Sequence, residues 1–211
     1  MQKRDFTIVI GRCFGAGGRA IGKRLSDSLD IPFFDNELLK EAAEEFGFSR
    51  SVFARADERR PSFLRRLVTQ SYGVQEAFGA ETFNPETLYQ AQSRVIRAIA
   101  KKGPCIIIGR TADYILRDFP NLVSVFFHAP LAYRAQKIVE RGDAASDIEA
   151  IELARQKDRQ RQDYYNYFTG RRWGEASNYD LTLDSSLMTP QQCADLICSF
   201  LELQAKSAAK E

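Results

Sequence analysis

The sequence predicts an α/β fold, with a parallel sheet covered by helices on both faces, and three observations carry that reading. Its strand candidates are continuous apolar runs, as strands buried on both faces must be. Helical apolar stripes separate them, which gives the strand, helix, strand rhythm of parallel crossovers. The first strand runs straight into a glycine-rich turn, Gly11 to Arg19 (GRCFGAGGR), which opens a helix in the manner of a phosphate-binding loop. A chain of 211 residues fits one well-buried domain, 1–211, with a small insert.

Phe6 to Ile10 is short, apolar and β-branched, a buried strand, and Ala20 to Leu29 then sets Ile21, Leu25 and Leu29 on one helical face. Ile31 to Phe34 reads as a second strand, with Asp35 placed to cap a helix over Glu37 to Phe46. The stretch 49–83, arginine-rich and then dotted with glycine, is the insert. Asn84 and Pro85 start a helix whose stripe is Leu88, Ala91, Val95 and Ile99. Cys105 to Ile108 and Leu122 to Phe127 are further strands, and Leu131, Ala135, Ile138 and Val139 form the next helix face. Tyr179, Leu181 and Leu183 alternate, which suits a half-exposed last strand. Thr189 to Gln192 then combines an N-cap, a proline at the first helical position and a capping-box glutamine.

A formal charge of +2 does not predict a nucleic-acid partner. The four cysteines, Cys13, Cys105, Cys193 and Cys198, form no CxxC pair, and His128 is the sole histidine, so neither a zinc site nor a disulfide framework is indicated. A reducing cytoplasm fits that usage. No apolar run approaches the length of a membrane span.

The glycine turn carries the chemistry. Backbone N–H groups at the mouth of a helix, with its dipole behind them, bind anions, and Gly15, Gly17 and Gly18 leave a phosphate room to approach. The standard pattern GxxxxGK[ST] adds a lysine and a hydroxyl. With Gly17 as its final glycine, Gly18 stands at the lysine position and Arg19 at the hydroxyl position. Arg12 or Arg19 is the candidate replacement charge, since a guanidinium binds phosphate well. Either this is a nucleotide site with altered chemistry or it is a tight strand-to-helix turn; a dinucleotide fold fits poorly, because no GxGxxG is present.

Together with IGKRLSDSLDIPFFD, the turn resembles the cytidylate kinase-like family, a branch of the P-loop nucleoside monophosphate kinases. RVIRAIAKKGPCIIIGRTADYIL is similar to that family's central strand with its Gly-Arg pair, VSVFFHAPLAYRAQKIVER to its next strand and helix, and DRQRQDYYNYFTGRRWGEASNYDLTLDSS to its lid and last strand. The resemblance implies a P-loop NTPase-type, three-layer fold with a five-stranded parallel sheet, a helical NMP-binding insert at 49–83 and a lid over 143–178. It implies transfer of the γ-phosphoryl of ATP, with Mg2+, to a nucleoside monophosphate or similar small acceptor, nominally CMP or dCMP.

The resemblance then assigns roles. The loop residues Gly11, Phe14, Gly15, Ala16, Gly17, Gly18, Arg19 and Ala20 are the candidates to hold ATP. Arg12, Arg19, Arg110, Arg155, Arg159 and Arg161 are those to stabilise the transferred group, with Arg110 also on the acceptor phosphate. Asp35 either contacts the acceptor or only caps a helix, and Asp113 is the candidate for magnesium through water. Arg155 and Arg159 share a face, while spacing also pairs Asp158 with Arg161 and Arg159 with Asp163, as on a salt-laced surface helix. The aromatic run from Tyr164 to Phe168 either stacks a base or packs a helix end. Two other readings stay open: a non-catalytic nucleotide sensor or scaffold, and an interaction protein with 49–83 as a partner or homodimer surface.

Overall fold

The computed structural model describes residues 5–39, 85–109 and 111–208. The insert at 49–83, most of the helix expected over Glu37 to Phe46, and Arg110 lie outside them.

Five strands form one parallel sheet: β1 (Thr7–Arg12), β2 (Phe33–Phe34), β3 (Ile106–Ile108), β4 (Leu122–His128) and β5 (Leu181–Asp184), in the order β2-β3-β1-β4-β5. Ile8 stands opposite Ile106 on one side and Val123 on the other, and the register continues without a bulge. Parallel neighbours need crossovers, and the helices supply them: α1 (Gly18–Leu29), α2 (Pro85–Lys102), the short α3 (Ala112–Ile115), α4 (Leu131–Glu140), α5 (Asp147–Thr169) and α6 (Pro190–Ala208).

Side chains alternate across the pleat, so a sheet covered on both faces needs apolar residues at every position. Ile8, Ile10, Ile106, Ile108, Val125 and Phe127 join Ile21, Leu25 and Leu29 of α1 and Ile197 and Leu201 of α6 in one core. Val9 and Ile107 turn the other way, into a second core with Val95, Ile96 and Ile99 of α2 and Leu116. The five-stranded parallel P-loop architecture expected from the sequence is the one observed. No described helix is long and apolar enough to cross a membrane.

Local signals place the helix ends. The Thr189 backbone N–H donates to Gln192 Oε1 at 2.9 Å, and the Gln192 N–H donates to Thr189 Oγ1 at 3.2 Å, which is the capping box read from the sequence. Ser146 caps α5 through the Glu149 N–H, and Gly170 ends it in the left-handed region. The aromatic run on α5 packs a helix end: Phe168 stacks on Tyr89 with ring centroids 4.3 Å apart, and the Tyr164 hydroxyl donates to Gln92.

Candidate active site

β1 lies between β3 and β4, so the segments leaving its neighbours diverge and open a crevice at the carboxyl edge of the sheet, where open α/β folds bind ligands. The glycine turn spans that crevice. Cys13 extends the ladder by donating to the Phe127 carbonyl, after which Gly15 (φ 84°) and Gly17 (φ 76°) adopt left-handed backbone. At Gly15 no other residue fits, since a Cβ would lie 2.8 Å from the Arg134 carbonyl oxygen. Gly17, the N-cap of α1, faces open space, its nearest contact for a Cβ being Ile21 Cδ1 at 3.9 Å. The N–H groups of Gly18, Arg19 and Ala20 begin the helix without side-chain caps, and no acidic residue stands in the first turn. Donors arranged in this way can bind an anion, with the helix dipole adding positive potential.

The loop is fastened from three directions. Arg134, buried on α4, donates through Nη1 to the Phe14 carbonyl at 3.0 Å and to Asp158 Oδ2 of α5 at 2.6 Å, and through Nε to the Ala129 carbonyl. Asp158 Oδ1 accepts the Phe14 N–H at 2.7 Å. Arg161 donates to the Arg12 carbonyl, and Ser185, just past β5, donates to the Ala16 carbonyl at 2.8 Å. Each of these contacts freezes a peptide orientation, so the free N–H groups keep their direction before any ligand arrives.

The remaining candidate residues divide by position. Arg19 reaches back to Asp35, Nε to Oδ2 at 2.7 Å, with its side chain 77% exposed. Asp35 also accepts the N–H groups of Glu37 and Leu38, so the capping role holds and the carboxylate orients Arg19 as well. At Gly11 a Cβ would press on the Phe126 ring. Arg12 is half-buried at the end of β1, its guanidinium against Gly109. Arg161 leans on the Phe14 ring and stands 3.8 Å from Asp158, whose shorter partner is Arg134, a residue the spacing argument had not offered. Arg155 and Arg159 are exposed on α5 and do not line the cavity above the loop, and no ion pair joins Arg159 to Asp163. Asp113 receives the Tyr165 hydroxyl at 2.7 Å beneath α5; burial raises its carboxyl above the usual range, against the hydrogen bond and the Arg171 charge. Among the described residues, no cluster of three His, Cys, Asp or Glu is placed to hold a metal ion.

A cavity of about 1360 Å³ lies over the loop, between α1, α4 and the turn from β5 into α6. Phe14, Gly15, Gly17 and Arg19 form its floor, Tyr133, Lys137 and Arg141 one wall, and Ser186 and Leu187 another. Leu187 is 78% exposed there. In the glycine turn, burial and then the Asp158 carboxylate push the Cys13 thiol up to about 11, so the thiolate is scarce at neutral pH. Iodoacetamide at pH 7.5 should therefore modify Cys13 about a hundredfold more slowly than an unperturbed thiol, and faster as pH rises toward 11. Mass-spectrometric timing of the alkylation checks this, and labelling at the unperturbed rate would contradict it.

Comparison with known proteins bears on the family and the fold. A model of the cytidylate kinase-like family matches residues 7–187, most of the chain. The chain belongs to the cytidylate kinase-like family. This cytidylate kinase-like protein is 23% identical to a cytidylate kinase of Methanosarcina acetivorans over 90% of the chain and 93% of the relative. Its fold is similar to that of an uncharacterized protein from Eubacterium ventriosum (TM-score 0.70, 23% identity, 93% of this chain and 98% of that one). It is also similar to a shikimate kinase from Bacteroides thetaiotaomicron (TM-score 0.54, 12% identity, 93% and 98%). Family and fold together make it a nucleotide kinase-like phosphotransferase in class.

Sequence reasoning missed Arg134, Asp158 and Ser185 as loop-holding residues. A signal existed for the first: Arg134 sits three residues after Leu131, inside the apolar stripe that continues through Ala135 and Ile138, where a cation needs a buried partner. Nothing local marks the other two.

Proposed function

We propose that this cytidylate kinase-like protein transfers the γ-phosphoryl group of ATP to a nucleoside monophosphate or similar small acceptor, CMP and dCMP being the nominal ones. The observation that carries the reading is the row of uncapped N–H groups from Gly18 to Ala20, opening beside a large cavity at the carboxyl edge of a P-loop sheet. Phosphoryl transfer asks little covalent work of a protein; it needs aligned donors and positive charge around the equatorial oxygens. The loop supplies the donors, held rigid by Arg134, Asp158 and Ser185. Arg19 supplies charge from the cavity rim, oriented by Asp35. Magnesium is assigned here to the substrate, as the metal complex of ATP, because the loop from Gly11 to Arg19 brings no hydroxyl or carboxylate side chain of its own. Phe14 and the exposed Leu187 give the cavity an apolar surface against which a nucleotide could pack, which supports placing the donor there. The free thiols of all four cysteines fit a reducing cytoplasm, the location we propose.

A coupled assay of ADP release with CMP, dCMP, UMP and AMP as acceptors tests the proposal. Steady acceptor-dependent turnover is expected, and none above background from folded protein would refute it. The second reading, a nucleotide sensor without turnover, is favoured by glycine at position 18. It expects calorimetric ATP binding with no product.

A further inference from the structure

Set against GxxxxGK with Gly17 as the final glycine, the chain has Arg12 at the first glycine and Gly18 at the lysine. The two residue types have changed places: a long cation opens the loop, and a residue without a side chain closes it. The structure brings the two positions into contact. A Cβ on Gly18 would lie 3.1 Å from both Cβ and Cγ of Arg12, so the arginine stem fills the volume that the first atoms of a lysine at 18 would need.

A third glycine completes the arrangement. Gly109 ends the β3 segment at φ 71°, and a Cβ there would overlap Arg12 Nη1; the guanidinium therefore lies in the notch left by the absent side chain. The root of Arg12 is fixed as well, since Arg161 donates to its carbonyl at 3.1 Å. Arg12 thus runs from the end of β1, with its stem beside the first residue of α1, to the end of β3. Arg19 goes the opposite way, to Asp35 on the cavity rim.

We infer that Arg12 is the phosphate-binding cation of this loop, exchanged in position with the motif's lysine, and that Gly18 and Gly109 are glycine to give it room. The inference rests on the phosphotransferase reading above and deepens it. A guanidinium offers a planar fork of donors that engages two phosphate oxygens, where an ammonium acts as a point charge. Arg12 does not line the cavity itself, so it would engage a phosphate from the β3 side of the loop rather than from within the cavity.

Exchange predicts a pattern that a merely structural arginine would not give. Four proteins are compared for kcat/KM with ATP and the best acceptor, and for calorimetric affinity toward ATP and AMP: wild type, Arg12→Gly, Gly18→Lys and the double variant. Arg12→Gly should lose about 100-fold or more in kcat/KM and more affinity for ATP than for AMP. Gly18→Lys with Arg12 in place should also lose activity, because two side chains compete for one path. The double variant, which rebuilds the standard pattern, should recover at least about tenfold over either single variant, as coupled sites do and independent sites do not. Arg12→Met keeps the stem without the charge, and should follow Arg12→Gly; it decides the matter if Arg12→Gly does not fold. If wild type turns over and Arg12→Gly or Arg12→Met matches it, or if the double variant is no better than the product of the singles, the inference is overturned while the activity stands. If wild type neither turns over nor binds ATP, the phosphotransferase reading fails and this inference with it.

Discussion

Replacing Arg134 by alanine is expected to lower the unfolding free energy by about 3–5 kcal/mol, measured by urea denaturation. The side chains of Arg134 and Asp158 are only 11% and 16% exposed, so their ion pair is not a surface pair of the kind worth about 0–1 kcal/mol. Truncation leaves the Asp158 carboxylate with the Phe14 N–H and a guanidinium 3.8 Å away, and it strips donors from the Ala129 and Phe14 carbonyls. Most of the expected cost is that stranded charge, so removing the carboxylate together with the guanidinium should cost less than the sum of the two single changes. Arg134→Lys should rescue little, because one ammonium cannot serve three acceptors that lie along a planar fork. A loss below about 1 kcal/mol would show that water replaces the pair and that the loop is not held by it.

Gly15→Ala is expected to remove nucleotide binding and to destabilise the fold by about 2–5 kcal/mol. Two costs add: about 1–2 kcal/mol for a side chain in left-handed backbone, and about 1–3 kcal/mol for overpacking. The added carbon would press on the Arg134 carbonyl oxygen and Cβ and on Ile138 Cδ1, atoms of a helix that is itself packed against α5. Neither backbone can retreat cheaply. Thermal unfolding with and without ATP checks both parts: a lower midpoint that ATP no longer raises is expected, and a midpoint still raised by ATP as in wild type would contradict the binding claim. By contrast Gly17→Ala has space, and its cost should be confined to the backbone.

The sheet was legible because its strands, buried on both faces, are short β-branched apolar runs flanked by glycine or proline and separated by helical stripes. Ile106, Ile107 and Ile108 needed no partner to be recognised, and the glycine turn declared itself by following Ile10. Strand ends were less clear: β1 runs on through Gly11 and Arg12, which read as the start of the turn, because pairing with Phe126 and Phe127 holds them in the ladder. The site was legible where function rests on backbone, at Gly15, Gly17 and Gly18. It was obscure where side chains reach across the fold. Asp158 lies on a helix rich in charges, and helical spacing offered Arg161 as partner; only tertiary packing brings Arg134 closer. Arg155 and Arg159 share the same composition and face outward, which no local pattern distinguishes. Ser185 is one serine in a pair, singled out by the carbonyls of Ala16 and His128 converging on its hydroxyl.

The fastening of the loop also sets how it opens. The carbonyls of Arg12, Phe14 and Ala16 are taken by side chains from α5, α4 and the segment after β5, and that of Cys13 by the Ala16 N–H. Surface loops usually exchange their amide hydrogens through small local openings with little free-energy cost. Here the Cys13 amide is bonded to the Phe127 carbonyl of β4 and the Phe14 amide to Asp158 of α5, so exposing them parts the loop from the sheet and from α5. This stretch of irregular backbone is therefore expected to open together with the central strand it follows rather than as a separate surface loop.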